Sequence, residues 1–161
     1  MFTQRRDYLL DMIQQLMERI TALLQRAQGQ EVALDQLERE CEHAMDDEFA
    51  ELDRRMKGVE PRMVAHLVRP VERLRAYALL LAARALLQSR RARLLAEPQP
   101  SVEPAARRAL ALVLEVILAS EATSHDLEAV RCLFGLVDDG HLSPRYLQAL
   151  VDLGRDPEPE G

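Results

Sequence analysis

The sequence has no tryptophan, no asparagine, a single lysine (Lys57), and only three tyrosines and three phenylalanines in 161 residues. So thin an aromatic supply argues against the aromatic and β-branched core of a sheet protein, and removes the stacking platforms that single-strand nucleic-acid binders use. The chain is still 48% hydrophobic and long enough to bury one core. That core must be built from Leu, Ala, Val, Ile and Met, the residue set of packed helices. Only Cys41 and Cys132 are present, with no CxxC spacing, so neither a disulfide framework nor a zinc site is expected and a reducing, cytoplasmic setting fits. No apolar run approaches the roughly 20 residues of a membrane span. The N-terminal stretch MFTQRRDYLLDMIQQLMERI has acids inside its apolar region and no small-residue cleavage site, unlike a secretory signal.

Catalytic signatures are equally scarce. The six glycines are scattered and form no phosphate loop, and no serine lies in a nucleophile-elbow context. Glu40-x-x-His43 has the spacing of one half of a di-iron site, but no second Glu-x-x-His follows it. Asp138-Asp139-Gly140-His141 lacks the alternating ligands and terminal glutamate of a calcium loop and reads as a turn. No enzyme, metal or cofactor is expected.

What is present is helical. In VERLRAYALLLAARALL, residues 71–87, apolar side chains from Tyr77 to Leu87 point all round a helical wheel, interrupted only by Arg84. A helix apolar on nearly every side must be covered on nearly every side, so this stretch, running to about Leu95, is the expected central helix. A first helix from Asp7 to about Gln28 carries Leu9, Ile13, Leu16, Ile20 and Leu23 at alternating spacings of four and three, the pattern of a packed amphipathic helix or of a self-associating seam. Residues 31–57 form a second, with Asp46-Asp47 as a possible break and an acidic row (Asp35, Glu38, Asp53 among it) flanking its apolar stripe. A short helix follows Pro61, and Pro70 kinks or restarts the chain. Beyond Pro98 and Pro100, Ser101 caps a fourth helix that is apolar from Ala109 to Ala119 except for Glu115, and expected to pack on the central one.

Thr123 and Asp126 have capping-box spacing and open a fifth helix to about Val137. Its apolar residues form two faces: Leu127, Val130, Phe134 and Val137 toward the core, and Ala129, Cys132 and Leu136 opposite. Leu142, Ser143, Pro144 and Leu147 supply a staple residue, a cap, a first-turn proline and the staple's partner for a last helix ending near Leu153. The expectation is therefore an all-α bundle of six or seven helices in a single domain, residues 1–154, with a disordered tail at 155–161.

Arg6-Asp7-Tyr8-Leu9-Leu10-Asp11-Met12-Ile13, the paired long helices around Pro98 to Pro100, and the closing Leu142-Ser143-Pro144 helix that ends in Leu153-Gly154 carry a resemblance. Together they resemble an uncharacterised family of small helical bacterial proteins whose second half looks like tetratricopeptide-type hairpins. The resemblance implies a fold and no activity.

Charge is unevenly spread on a net of −6: residues 31–60 hold eleven acidic and four basic groups, 61–96 one acidic and eight basic, and 97–161 twelve acidic and five basic. Adjacent blocks of opposite sign point to helices that meet in the fold. Two functions are expected from this pattern. The first is a non-catalytic interaction or adaptor protein, binding a protein partner or a second copy through a groove lined by Cys132, Leu136, Tyr146 and Leu150. The second, disfavoured, is a nucleic-acid-associated regulator contacting phosphates through the row Arg73, Arg84 and Arg91.

Overall fold

A computed structural model describes residues 2–25, 31–95 and 102–155. The described residues hold eight α-helices: α1 (Phe2–Leu24), α2 (Glu31–Glu48), α3 (Ala50–Met56), α4 (Pro61–Leu67), α5 (Val71–Leu94), α6 (Val102–Ala119), α7 (Ser124–Phe134) and α8 (Pro144–Arg155). A 3-10 turn, Asp139–His141, precedes α8. The all-α bundle expected from composition is thus observed, with the helix count raised by a division of the second expected helix. That division falls at Phe49, not at Asp46-Asp47. Phe49 is 2% exposed and its ring meets that of Tyr77 at 5.5 Å; seating an aromatic side chain in the core decides where the chain bends, and two soluble aspartates do not. Pro70 restarts the chain: α4 ends before it and α5 begins after it.

α5 is the hub. From Leu74 to Leu87 only Arg84 is not buried. α1, α2, α6 and α7 all pack on it, and its contact with α6 is the most extensive in the fold. α5 and α6 run antiparallel, since Leu74 shares a wall with Leu118 at one end while Ala85 shares one with Ala105 at the other. α6 then carries α4, α7 and α8 on its remaining surface.

Two buried polar contacts seat the peripheral helices. The capping box at the start of α7 is formed as expected: the Thr123 hydroxyl accepts from the Asp126 amide at 3.1 Å, and the Asp126 carboxylate accepts from the Thr123 amide at 3.0 Å. The same carboxylate accepts from Arg75 Nε at 3.1 Å, and Arg75 also donates to the Ser120 hydroxyl and the Glu121 carbonyl. Both residues are buried, Arg75 at 7% and Asp126 at 1% exposure. This pair rotates α7 away from the expected orientation. Asp126, Ala129, Val130 and Leu133 face inward, while Leu127 and Phe134 are exposed. The apolar wheel alone does not foresee it, because the inward-facing register is set by a carboxylate.

Glu115, the lone polar residue of the apolar stretch of α6, makes the second contact. Arg145 of α8 donates to it through Nε at 2.9 Å and Nη2 at 3.0 Å, and the Tyr146 hydroxyl donates at 2.7 Å. Burial works to raise the Glu115 pKa, but the bonds from Arg145 and Tyr146 prevail and hold the carboxyl below its ordinary value. The expected staple is half made: Leu142 is buried, whereas Leu147 stays exposed because Tyr146, its neighbour, is the residue drawn inward.

Candidate binding cleft and surrounding surface

The residues singled out from the sequence are placed as follows. Ile13, Leu16, Ile20 and Leu23 are buried, and Leu9 is half-buried against the same core. The first helix spends its seam on α5 and the rest of its own chain. Arg73, Arg84 and Arg91 do not form one open row. Arg91 binds Asp35 and Glu38 of α2, and Arg84 lies 3.6 Å from Asp53 of α3. Arg73 is exposed in the first turn of α5. Arg62 and Arg69 stand before the restart at Val71, on or just after α4. The basic and acidic blocks of the sequence are therefore helices that meet, as their adjacency suggests.

The groove drawn through Cys132, Leu136, Tyr146 and Leu150 is not assembled. α7 and α8 each pack on α6 and hardly on each other. Tyr146 is buried with its hydroxyl committed to Glu115, while Cys132, Leu136 and Leu150 are half-buried against the core. The two thiols nevertheless differ. Cys41 is 1% exposed and burial pushes its pKa up to about 12; Cys132 is half-buried. Reactivity needs an accessible thiolate, so brief iodoacetamide labelling of the native protein is expected to modify Cys132 first, with Cys41 reacting only after denaturation, as read by mass spectrometry.

Glu40 and His43 do not share a ligand role. Glu40 binds Arg19 of α1 through both carboxylate oxygens, at 2.9 and 2.6 Å, and His43 lies 3.4 Å from Asp47. Among the described residues no group of three or more His, Cys, Asp or Glu is disposed to hold a metal ion. Nor is any described helix long and apolar enough to cross a membrane.

A cleft lies elsewhere, where α4, α5, α6 and α8 converge. It measures about 720 Å³, within the usual range of about 300–1,000 Å³ for ligand sites. Its floor is apolar, with the buried Val68 and Leu74, and its rim is basic, with Arg62, Arg69 and Arg145. Glu115 is its one lining carboxylate and is already bound by Arg145 and Tyr146. The N-terminus of α5 opens on the same wall through Pro70 and Val71 and has no side-chain cap. Leu118 is 48% exposed at the edge, and Met63 and Leu67 of α4 are 51% and 58% exposed one turn apart. α8 repeats the arrangement with exposed Leu147 and Val151. No sequence motif announces this cleft, because its residues come from four elements; the only available signal was the excess of apolar positions on short helices.

Comparison with known protein families, curated proteins and solved structures yields no match.

Proposed function

We propose that the protein is a non-catalytic helical adaptor, acting in the cytoplasm, that seats an acidic amphipathic helix of a partner protein in the cleft between α4 and α8. The observation that carries this reading is the pairing of an apolar floor and the exposed apolar edge residue Leu118 with a rim of arginines. Helix-in-groove recognition uses apolar anchors spaced three and four apart, and the basic rim selects carboxylates beside those anchors and steers their approach. The competing nucleic-acid reading is weakened because Arg73, Arg84 and Arg91 do not form one open row and Arg91 is already bound to two carboxylates of α2.

Exposed residues can be changed without unfolding the chain. The Leu118→Asp variant should lose the partner captured by the wild-type protein from native lysate while keeping its unfolding midpoint. An unchanged capture profile would refute the assignment of this cleft. Sedimentation of the purified protein over a range of concentrations tells whether the helix is supplied by a second copy.

A further inference from the structure

A second cleft, sharing no lining residue with the first, lies between α3, α5 and α6 and measures about 490 Å³. Arg54 of α3, Lys57 after it, Arg84 of α5 and Arg108 of α6 line it, with Asp53 as the only lining carboxylate. Four cationic groups and one anionic group leave a formal charge of +3, on a chain whose net charge is −6.

Asp53 is shared: its carboxylate accepts from the Tyr77 hydroxyl at 2.7 Å and lies 3.6 Å from Arg84. Among the described residues no carboxylate pairs with Arg54 or Lys57; the nearby acids of α3 and α6, Glu51 and Glu103, are bound to Arg55 and Arg107, outside the cleft lining. Arg108 is held by two backbone carbonyls, those of Met56 and Val59, at 2.6 Å each. Carbonyls fix a guanidinium in place but leave its full charge, which is the condition for a preorganised anion contact. Ala50, Gly58, Ala85, Ala105 and Ala109 give much of the lining short side chains, which leaves room for a ligand beside the cations.

We propose that this cleft binds a small diphosphate-bearing anion. A terminal phosphate carries about −1.5 to −2 at neutral pH, and a diphosphate about −3, matching the +3 of the lining. Guanidinium groups bind phosphoryl oxygens with short, charge-assisted hydrogen bonds, and Arg84 of α5 and Arg108 of α6 supply them beside the exposed Arg54 and Lys57. The proposal does not depend on the adaptor reading, since the two clefts share no lining residue and lie at opposite ends of the α5–α6 pair.

The test is isothermal titration of the full chain with pyrophosphate and with ADP, and with citrate as an anion of similar charge but different geometry. Pyrophosphate should saturate at one site per chain. Arg54→Gln/Lys57→Gln, both exposed positions, should weaken it at least tenfold, whereas Arg55→Gln should leave it unchanged. ADP binding as tightly as pyrophosphate supports a site that reads the diphosphate alone, and tighter ADP binding supports one that reaches the nucleoside. Circular dichroism of the double variant, expected to match the wild type, ties the loss to the removed charges. The proposal is overturned if neither phosphate ligand saturates below about 1 mM, the weak end of the affinity scale, if citrate binds as tightly as pyrophosphate, or if the double variant binds like the wild type.

Discussion

Replacing Asp126 by alanine is expected to cost about 3–5 kcal/mol, because it leaves the Arg75 guanidinium charged and unpaired inside the protein. The substitution also removes one half of the α7 capping box, in which Asp126 accepts from the Thr123 amide. Both effects fall on the same helix, so urea unfolding should show the lost stability together with a reduced far-ultraviolet helical signal before the main transition. The charge is the larger cause, and a second variant separates it. Arg75→Leu with Asp126→Asn removes both charges and keeps a side chain able to accept at the third helical position. Neutral replacement of a buried pair is often close to neutral in stability, so this double variant should recover most of the loss. If it is as unstable as Asp126→Ala alone, the unpaired charge is not the cause of the loss, since the double variant carries none.

The second large effect belongs to α5. Leu80 is 0% exposed on the helix that four others cover. Leu80→Asp places a carboxylate in the apolar interior, and the cost of burying it joins the loss of the leucine's own packing. Against a total stability of about 5–15 kcal/mol for an ordinary domain, that sum should abolish cooperative thermal unfolding by calorimetry. Leu80→Ala, which only opens a cavity, should cost about 2–5 kcal/mol and still melt as one unit. Comparable melting curves for Leu80→Asp and the wild type would remove α5 from the centre of the fold.

The sequence was informative wherever one residue's neighbours along the chain decide its place. All-round apolarity in residues 71–87 located the hub, and the Thr123 to Asp126 spacing located the start of α7. The four seam residues Ile13, Leu16, Ile20 and Leu23 went to the core as a group. It was uninformative wherever the deciding partner lies far along the chain. Asp126 meets Arg75 across 51 residues, and that contact exposes Leu127 and Phe134, which the helical wheel had turned inward. Tyr146 is drawn to Glu115 across 31 residues, which removes it from the surface where a groove had been expected. The cleft between α4 and α8 was invisible for the same reason. Periodicity describes one helix at a time, and a cleft is a relation among four.

The bond between Arg108 and the carbonyls of Met56 and Val59 has a consequence for how this chain can vary. The guanidinium holds the turn after α3, where Gly58 takes a φ of +78°, through main-chain oxygens that every amino acid possesses. Side chains at positions 57 and 59 can therefore drift without loosening the anchor, provided the glycine persists, since L-residues adopt that backbone conformation at a penalty. Position 108 has no such latitude. Lysine offers a single nitrogen centre in place of two forked donors and would satisfy one carbonyl at the expense of the other. Among relatives of this chain, an arginine on α6 should be inherited together with the glycine in the turn it holds.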